Sequence, residues 1–154
     1  MAMVRSVLVV CVGNVCRSPV GERILDRALN GHPFSFSSSG LGALVGEGAD
    51  AQAAEVAALH GVSLDGHVAR QFTAQMGRQH DLILVMEPGH RNAIGRQAPE
   101  LSGRCLLFDQ WTGAKGIADP YRKSIDFHEA VFSELKAAGE AWSSWLMNQT
   151  ARKG

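Results

Sequence analysis

The sequence predicts an α/β fold built on a parallel sheet, and three observations carry that prediction. Residues 7–12 form a continuous, β-branched apolar run, which suits a central strand covered on both faces. A second run of the same kind, Asp81-Leu-Ile-Leu-Val-Met86, lies downstream. Around them, apolar residues recur at steps of three and four, the spacing of amphipathic helices. Strands alternating with helices pair in parallel through right-handed crossovers.

The first strand leads into Cys11-Val-Gly-Asn-Val-Cys-Arg17, and Ser18-Pro19 reads as a helix start, with serine at the N-cap and proline at N1. That helix turns Val20, Ile24, Leu25, Ala28 and Leu29 to the core and Arg23, Asp26 and Arg27 to water; Gly31 and Pro33 end it. Residues 34–38 alternate as a short strand, and a glycine-rich loop spans 40–48. Asp50 caps an alanine-rich helix that stops at Gly61. After the 81–86 strand, Pro88 opens a short helix lasting to about Gln97. Residues 104–108 make a fourth strand, and the loop 109–123 contains Asp119-Pro120-Tyr121. The last helix sets Phe127, Val131, Leu135, Ala138, Trp142 and Trp145 on one apolar face.

Length predicts a single domain over 1–154, large enough for a core. Acidic and basic residues balance at 15 each, which argues against a nucleic-acid binder working through a broad basic surface. With 45% apolar and 19% charged residues the chain reads as globular. Three cysteines cannot all pair within the chain, against a disulfide scaffold. No apolar run reaches the length of a membrane span. The start imitates a signal peptide, with Arg5 before a short apolar run. Gly13, Asn14 and Arg17 follow that run in place of a small-residue cleavage site, so a buried strand and a cytoplasmic protein are expected.

In open parallel sheets ligands bind beyond the carboxyl ends of the strands, at the switch point, and the cysteine loop sits there. A loop between a strand and a helix N-terminus turns backbone N–H groups inward as an anion cradle. Gly13 allows close approach, Asn14 tolerates the left-handed conformation, and Arg17 offers a rigid fork for two phosphate oxygens. Cys11 would lie at the floor. The dipoles that attract phosphate also favour a thiolate, ready to attack phosphorus, with the Ser18 hydroxyl on the sulfur. A cysteine at a strand end is more often a small buried hydrophobe, Ser18 alone is only an N-cap, and the loop alone fits a passive phosphate binder. Ester cleavage also needs a proton for the leaving oxygen. Asp119 would supply it, stiffened by Pro120, with the Tyr121 ring walling the entrance. Taken by itself, Asp-Pro more often starts a turn.

Together, Cys11-Val-Gly-Asn-Val-Cys-Arg-Ser-Pro19 and Asp119-Pro-Tyr121 resemble the low-molecular-weight protein-tyrosine phosphatase family. Ser38-Ser-Gly-Leu-Gly-Ala43, His67-Val-Ala-Arg-Gln71 and the 81–86 strand extend the resemblance to nearly the whole chain. Gly40-Leu-Gly-Ala-Leu-Val-Gly46 and Asp-Pro-Tyr-Arg are most similar to the bacterial Wzb-type branch. The resemblance implies a three-layer fold, with a four-stranded sheet in the order 2-1-3-4 and helices on both faces. It implies hydrolysis of phosphotyrosine through a phosphocysteine on Cys11, with Asp119 as acid and then base. Arg17 and the N–H groups of Val12, Gly13, Asn14, Val15, Cys16, Arg17 and Ser18 would hold the phosphoryl oxygens, without a metal or other cofactor. It implies bracing of the loop by Asn14, Ser38 and His67. Cys16 becomes a candidate for a reversible disulfide shield, a packing role being equally open, while Cys105 is expected buried and inert. Leu41 stands where eukaryotic members carry an aromatic wall residue, which leaves Tyr121 as the ring against the substrate. Arg122 replaces a second tyrosine of animal members. The implied partner is a phosphotyrosine protein, a membrane tyrosine autokinase of exopolysaccharide or capsule export, met by a monomer.

Three rivals are weaker. A thiol-dependent arsenate reductase needs a downstream cysteine pair, and only Cys105 follows. A passive phosphate sensor leaves the set of Cys11, Arg17 and Asp119 unexplained. The glycines at 40, 42 and 46 miss the dinucleotide spacing and follow the wrong strand.

Overall fold

The computed structural model describes residues 3–153; residues 1, 2 and 154 of the expected domain lie outside them. Four parallel strands, β1 (Ser6–Cys11), β2 (Ser35–Gly40), β3 (Leu82–Val85) and β4 (Cys105–Leu107), form one sheet in the order β2-β1-β3-β4. The helices are α1 (Arg17–Ala28), α2 (Ala51–Leu59), α3 (Ala74–Arg78), α4 (Pro88–Gln97) and α5 (Ile125–Lys153), with a 3₁₀ turn at Pro99–Arg104. The expected 2-1-3-4 sheet is therefore present.

Alternation along the strands splits the core in two. Val7, Val9, Leu82 and Leu84 join Ile24, Leu25, Val56, Leu135 and Trp142 of α1, α2 and α5 on one face. Leu8, Val10, Ile83 and Val85 join Ile94 of α4, Phe72 and Leu101 on the other. Each such side chain, fully buried, contributes about 1.5–3 kcal/mol, so the two-sided burial of β1 makes its carboxyl end a fixed platform. The Trp142 indole N–H donates to the Leu107 carbonyl at 3.3 Å, tying α5 to β4.

The helix details differ from the sequence reading in three places. α1 begins at Arg17 with Cys16 at its N-cap and no side-chain cap, so Ser18 is not the cap. Ala28 is exposed, because α1 ends there and the chain turns away. Phe127 is exposed at the first turn of α5, where His128 takes the buried position. By contrast, Asp50 caps α2 as expected, accepting from the Ala53 N–H at 3.1 Å.

The loop after β4 is shaped by Asp109, whose buried carboxylate accepts from the N–H groups of Lys115 and Gly116 at 3.2 and 3.0 Å. Gly116 takes φ +102° there, a conformation natural to glycine. The Ile117 N–H then donates to the Met86 carbonyl at 2.8 Å, bringing this loop to the carboxyl end of β3.

Candidate active site

The loop 12–16 leaves β1 at the β1–β3 switch point. Asn14 is fully buried and takes φ +59°, the left-handed conformation expected of it. Its Oδ1 accepts from the Arg70 N–H at 2.9 Å, which fixes the amide orientation. Its Nδ2 therefore donates twice, to Ser18 Oγ at 2.8 Å and Ser38 Oγ at 3.1 Å. His67 Nε2 donates to the Asn14 carbonyl at 2.6 Å. Arg70 Nε donates to the Ser38 carbonyl at 2.9 Å. The structure thus brings Asn14, Ser38 and His67 together around the loop.

Donor accounting gives this network a direction. Ser38 accepts from Asn14 and passes its own hydrogen to Glu22 Oε1 at 2.7 Å. Ser18 also accepts from Asn14; its Oγ lies 2.9 Å from Cys11 Sγ and 3.4 Å from the Ser39 carbonyl. The position of Ser18 inside the first turn, rather than at the cap, is what frees its oxygen for this contact.

Glycine is required where β2 passes the loop. A Cβ at Gly40 would stand 2.3 Å from the Val12 carbonyl oxygen and 3.0 Å from the Asn14 nitrogen. Beyond it, Leu41, Gly42 and Leu44 donate their N–H groups to the carbonyls of Cys11, Val12 and Gly13 at 2.9, 3.0 and 3.0 Å. The wall is thus hydrogen-bonded to the floor.

Arg17 is 1% exposed. Its Nη1 donates to Glu87 Oε2 at 2.6 Å and to the Ile117 carbonyl at 2.7 Å. Both Nη1 hydrogens are committed, which leaves the Nε–Nη2 edge of the guanidinium for an oxyanion. Asp119 Oδ2 lies 3.8 Å from Nη2, and the Asp119 side chain is half-exposed. Its Oδ1 accepts from the Tyr121 N–H at 3.0 Å, a turn that fixes both residues. Arg122 lies over the Tyr121 ring at 5.2 Å.

These groups surround a cleft of ≈ 170 Å³. Its floor is Cys11, Val12, Gly13, Val15, Cys16 and Arg17; its walls are Gly42 and Leu44 on one side and Asp119 and Tyr121 on the other. Leu41 does not form the wall. It packs with Phe72 and Val85 on the opposite face of the sheet, and Leu44 takes its place at the cleft. Cys16 is a free, buried thiol. Burial, then the negative charges of Asp50 and Cys11, push it far above the ordinary thiol range. Cys105 is fully buried within the opposite cluster, and burial pushes its thiol up to about 11. Among the described residues, no three His, Cys, Asp or Glu side chains cluster to hold a metal ion.

The sequence reading missed Glu87, Arg70, Glu22 and Leu44. Glu87 had a usable signal. It lies two residues beyond β3, where the switch-point rule places ligand contacts. Arg70 and Leu44 are set by loop geometry that no periodicity records, and Glu22 is a polar residue of α1 whose contact with Ser38 leaves no mark in the helical spacing.

A cleft lined by a strand-end cysteine, the loop that follows it and a buried arginine sits at the switch point of the sheet, and residues 6–152 match the low molecular weight phosphotyrosine protein phosphatase family, to which the chain belongs. It is a low molecular weight protein-tyrosine phosphatase similar to the Wzb and Etp type. It is 50% identical over 141 residues to the low molecular weight protein-tyrosine-phosphatase Etp of Escherichia coli, covering 92% of this chain and 94% of that protein. It is equally 50% identical over 145 residues to Wzb of Salmonella typhimurium, covering 94% and 95%. The crystal structure of Wzb from Escherichia coli K30 in complex with sulphate superposes with TM-score 0.90 at 44% identity, covering 94% of this chain and 99% of that one.

Proposed function

We propose that the chain hydrolyses protein phosphotyrosine in two displacements on Cys11. The Cys11 thiolate attacks phosphorus, the bond to the tyrosine oxygen breaks, and Asp119 gives that oxygen its proton. Asp119 then takes a proton from water as the water attacks the phosphocysteine, and sulfur leaves as thiolate. Dividing one displacement into two easier ones is the gain of a covalent intermediate. Arg17 and the amides of residues 12–18 meet the charge on the phosphoryl oxygens with fixed donors. Asn14, Ser38 and His67 hold the loop, and Tyr121 and Leu44 flank the aromatic ring.

One observation supports this reading most: the network from Arg70 and Asn14 holds Ser18 Oγ 2.9 Å from Cys11 Sγ. Cys11→Ser should abolish hydrolysis of p-nitrophenyl phosphate. Full activity in that variant would refute the assignment. The arsenate-reductase alternative is disfavoured, because the one downstream cysteine is buried on the other face of the sheet.

We further propose a cytoplasmic, single-domain monomer whose substrate is a membrane tyrosine autokinase of exopolysaccharide or capsule export. The resemblance to the Wzb-type branch supports that substrate, and a free reactive thiol suits a reducing compartment. Among the described residues no helix is long and apolar enough to cross a membrane. The substrate is tested by comparing kcat/KM on a phosphorylated autokinase tail with that on an unrelated phosphotyrosine peptide. Equal values would remove it. Cys16 is proposed as a disulfide partner of Cys11, so oxidised protein should yield a Cys11–Cys16 crosslinked peptide. Peroxide inactivation without it would reject the shield.

A further inference from the structure

The chain between β4 and Asp119 folds around one side chain. The Asp109 carbonyl accepts from the N–H groups of Thr112 and Ala114 at 3.0 and 2.9 Å. Its carboxylate Oδ2 accepts from those of Lys115 and Gly116 at 3.2 and 3.0 Å. Ala114 takes φ +57° and Gly116 φ +102°. A residue with a Cβ holds such a left-handed conformation only where its surroundings impose it. Here four backbone donors converge on Asp109, which is 5% exposed.

The next residue carries that geometry to the site. The Ile117 N–H donates to the Met86 carbonyl at 2.8 Å, and the Ile117 carbonyl accepts from Arg17 Nη1 at 2.7 Å. Gly116 lies against the segment that carries Glu87, the other acceptor of Nη1 at 2.6 Å. A Cβ on it would stand 3.3 Å from the Pro88 side chain, 3.4 Å from the Met86 carbonyl and 3.6 Å from the Glu87 Cα. Asp119 follows two residues after Ile117, its Oδ2 3.8 Å from Arg17 Nη2. Stability alone accounts poorly for the Asp109 carboxylate. Its Oδ1 is buried without a hydrogen-bond partner, and burying such an oxygen costs free energy.

We propose that Asp109 is a positioning residue for the phosphatase reaction, its carboxylate setting the loop so that the Ile117 carbonyl holds Arg17 and Asp119 stands at the cleft mouth. The inference rests on the reading that Arg17 binds the phosphoryl group and Asp119 is the acid. Asp109 lies outside the cleft lining; it acts only through the backbone of residues 115–117.

The test compares phenyl phosphate with p-nitrophenyl phosphate as substrates, with inorganic phosphate as competitive inhibitor. A merely structural loss reduces the amount of active enzyme. It scales kcat alike on both substrates and leaves KM and phosphate inhibition as they were. Asp109→Ala should instead lower kcat/KM about tenfold on p-nitrophenyl phosphate, the scale of a small displacement of a binding group. The loss should be larger on phenyl phosphate, whose leaving oxygen depends more on the acid, and phosphate inhibition should weaken. Asp109→Asn keeps an oxygen for both N–H groups and should recover most of the loss. An unimpaired Asp109→Ala, or an equal loss on both substrates with phosphate inhibition unchanged, would overturn the proposal. If Asp109→Ala does not fold, Gly116→Ala, which strains the same point of the loop, takes its place with the same expected split. Arg17→Ala separates the two claims. Retained activity and phosphate inhibition there would sink the reading of Arg17 and this inference with it; a crippled Arg17→Ala beside an unimpaired Asp109→Ala sinks Asp109 alone.

Discussion

Replacing Ser18 by alanine removes the hydroxyl at 2.9 Å from the Cys11 sulfur and strands one hydrogen of the buried Asn14 amide. The expected result is a fall in kcat of roughly 10- to 100-fold and a loss of about 1–3 kcal/mol of stability, read by steady-state kinetics and urea denaturation. Unchanged kcat would deny the hydroxyl a part in the chemistry. Asp119 makes a different prediction, because it is half-exposed at the cleft mouth and 3.8 Å from Arg17 Nη2. Asp119→Ala should cost about 10²–10⁴-fold on phenyl phosphate and far less on an aryl phosphate with an activated leaving group. An equal loss on both substrates counts against an acid role. At this scale the sequence was informative wherever chemistry demands a residue type. Cys11, Arg17 and Asp119, picked out by residue type, all line one cleft, and Asn14 takes the left-handed turn expected of it. Leu41 was misread because a loop carries no period, so nothing in the sequence says that Leu44 and not Leu41 turns to the cleft.

Two glycines separate the demands of strand and loop. At Gly40 a Cβ meets the backbone of the loop at 2.3 Å, and backbone cannot step aside as a side chain can. Gly40→Ala should therefore destabilise the fold by about 1–3 kcal/mol and lower activity, since the strain falls on Val12 and Asn14. At Gly13 a Cβ would make ordinary contact with Val15 at 3.6 Å, so Gly13→Ala should shift the melting temperature much less. Equal shifts would contradict the packing at β2. The long, apolar elements were legible: β1 and β3 are uninterrupted buried runs, and α4 spans the predicted Pro88–Gln97. The five-residue α3 and the 3₁₀ turn at Pro99–Arg104 were not, because neither is long enough to show a period. The start of α1 was misplaced because Ser18 has the chemistry of a cap, but its oxygen serves Cys11 and Asn14 instead.

The whole molecule is closed at the amino end of its sheet by Asp81, which accepts from the N–H groups of Arg5 and Ser6 at 2.8 and 3.1 Å and so joins the start of β1 to that of β3. The Arg5 hydrogen bond is the main cause that holds this carboxyl below its usual range, the Ser6 bonds adding to it. A depressed folded value gives stability that is present above the unfolded value of about 4 and lost as pH falls through the folded value. Asp81→Asn should thus melt lower than the wild type at pH 7, by about 1 kcal/mol or less because solvent screens the group. The gap should close as the pH is lowered below about 4. A gap that persists in strong acid would mean that the carboxylate charge is not its source. Sheet order belongs to this scale as well. Strand alternation alone indicated a parallel sheet, whereas 2-1-3-4 came from resemblance, because pairing partners leave no mark on single strands. The central claim, a covalent phosphoryl group on sulfur, is tested most directly by quenching the enzyme in alkali during turnover of a phosphotyrosine peptide and mapping the trapped phosphate by mass. The account predicts an alkali-stable, acid-labile phosphate on Cys11 and on no other residue. Trapped phosphate on another side chain, or none despite a burst of released phenol, would contradict it.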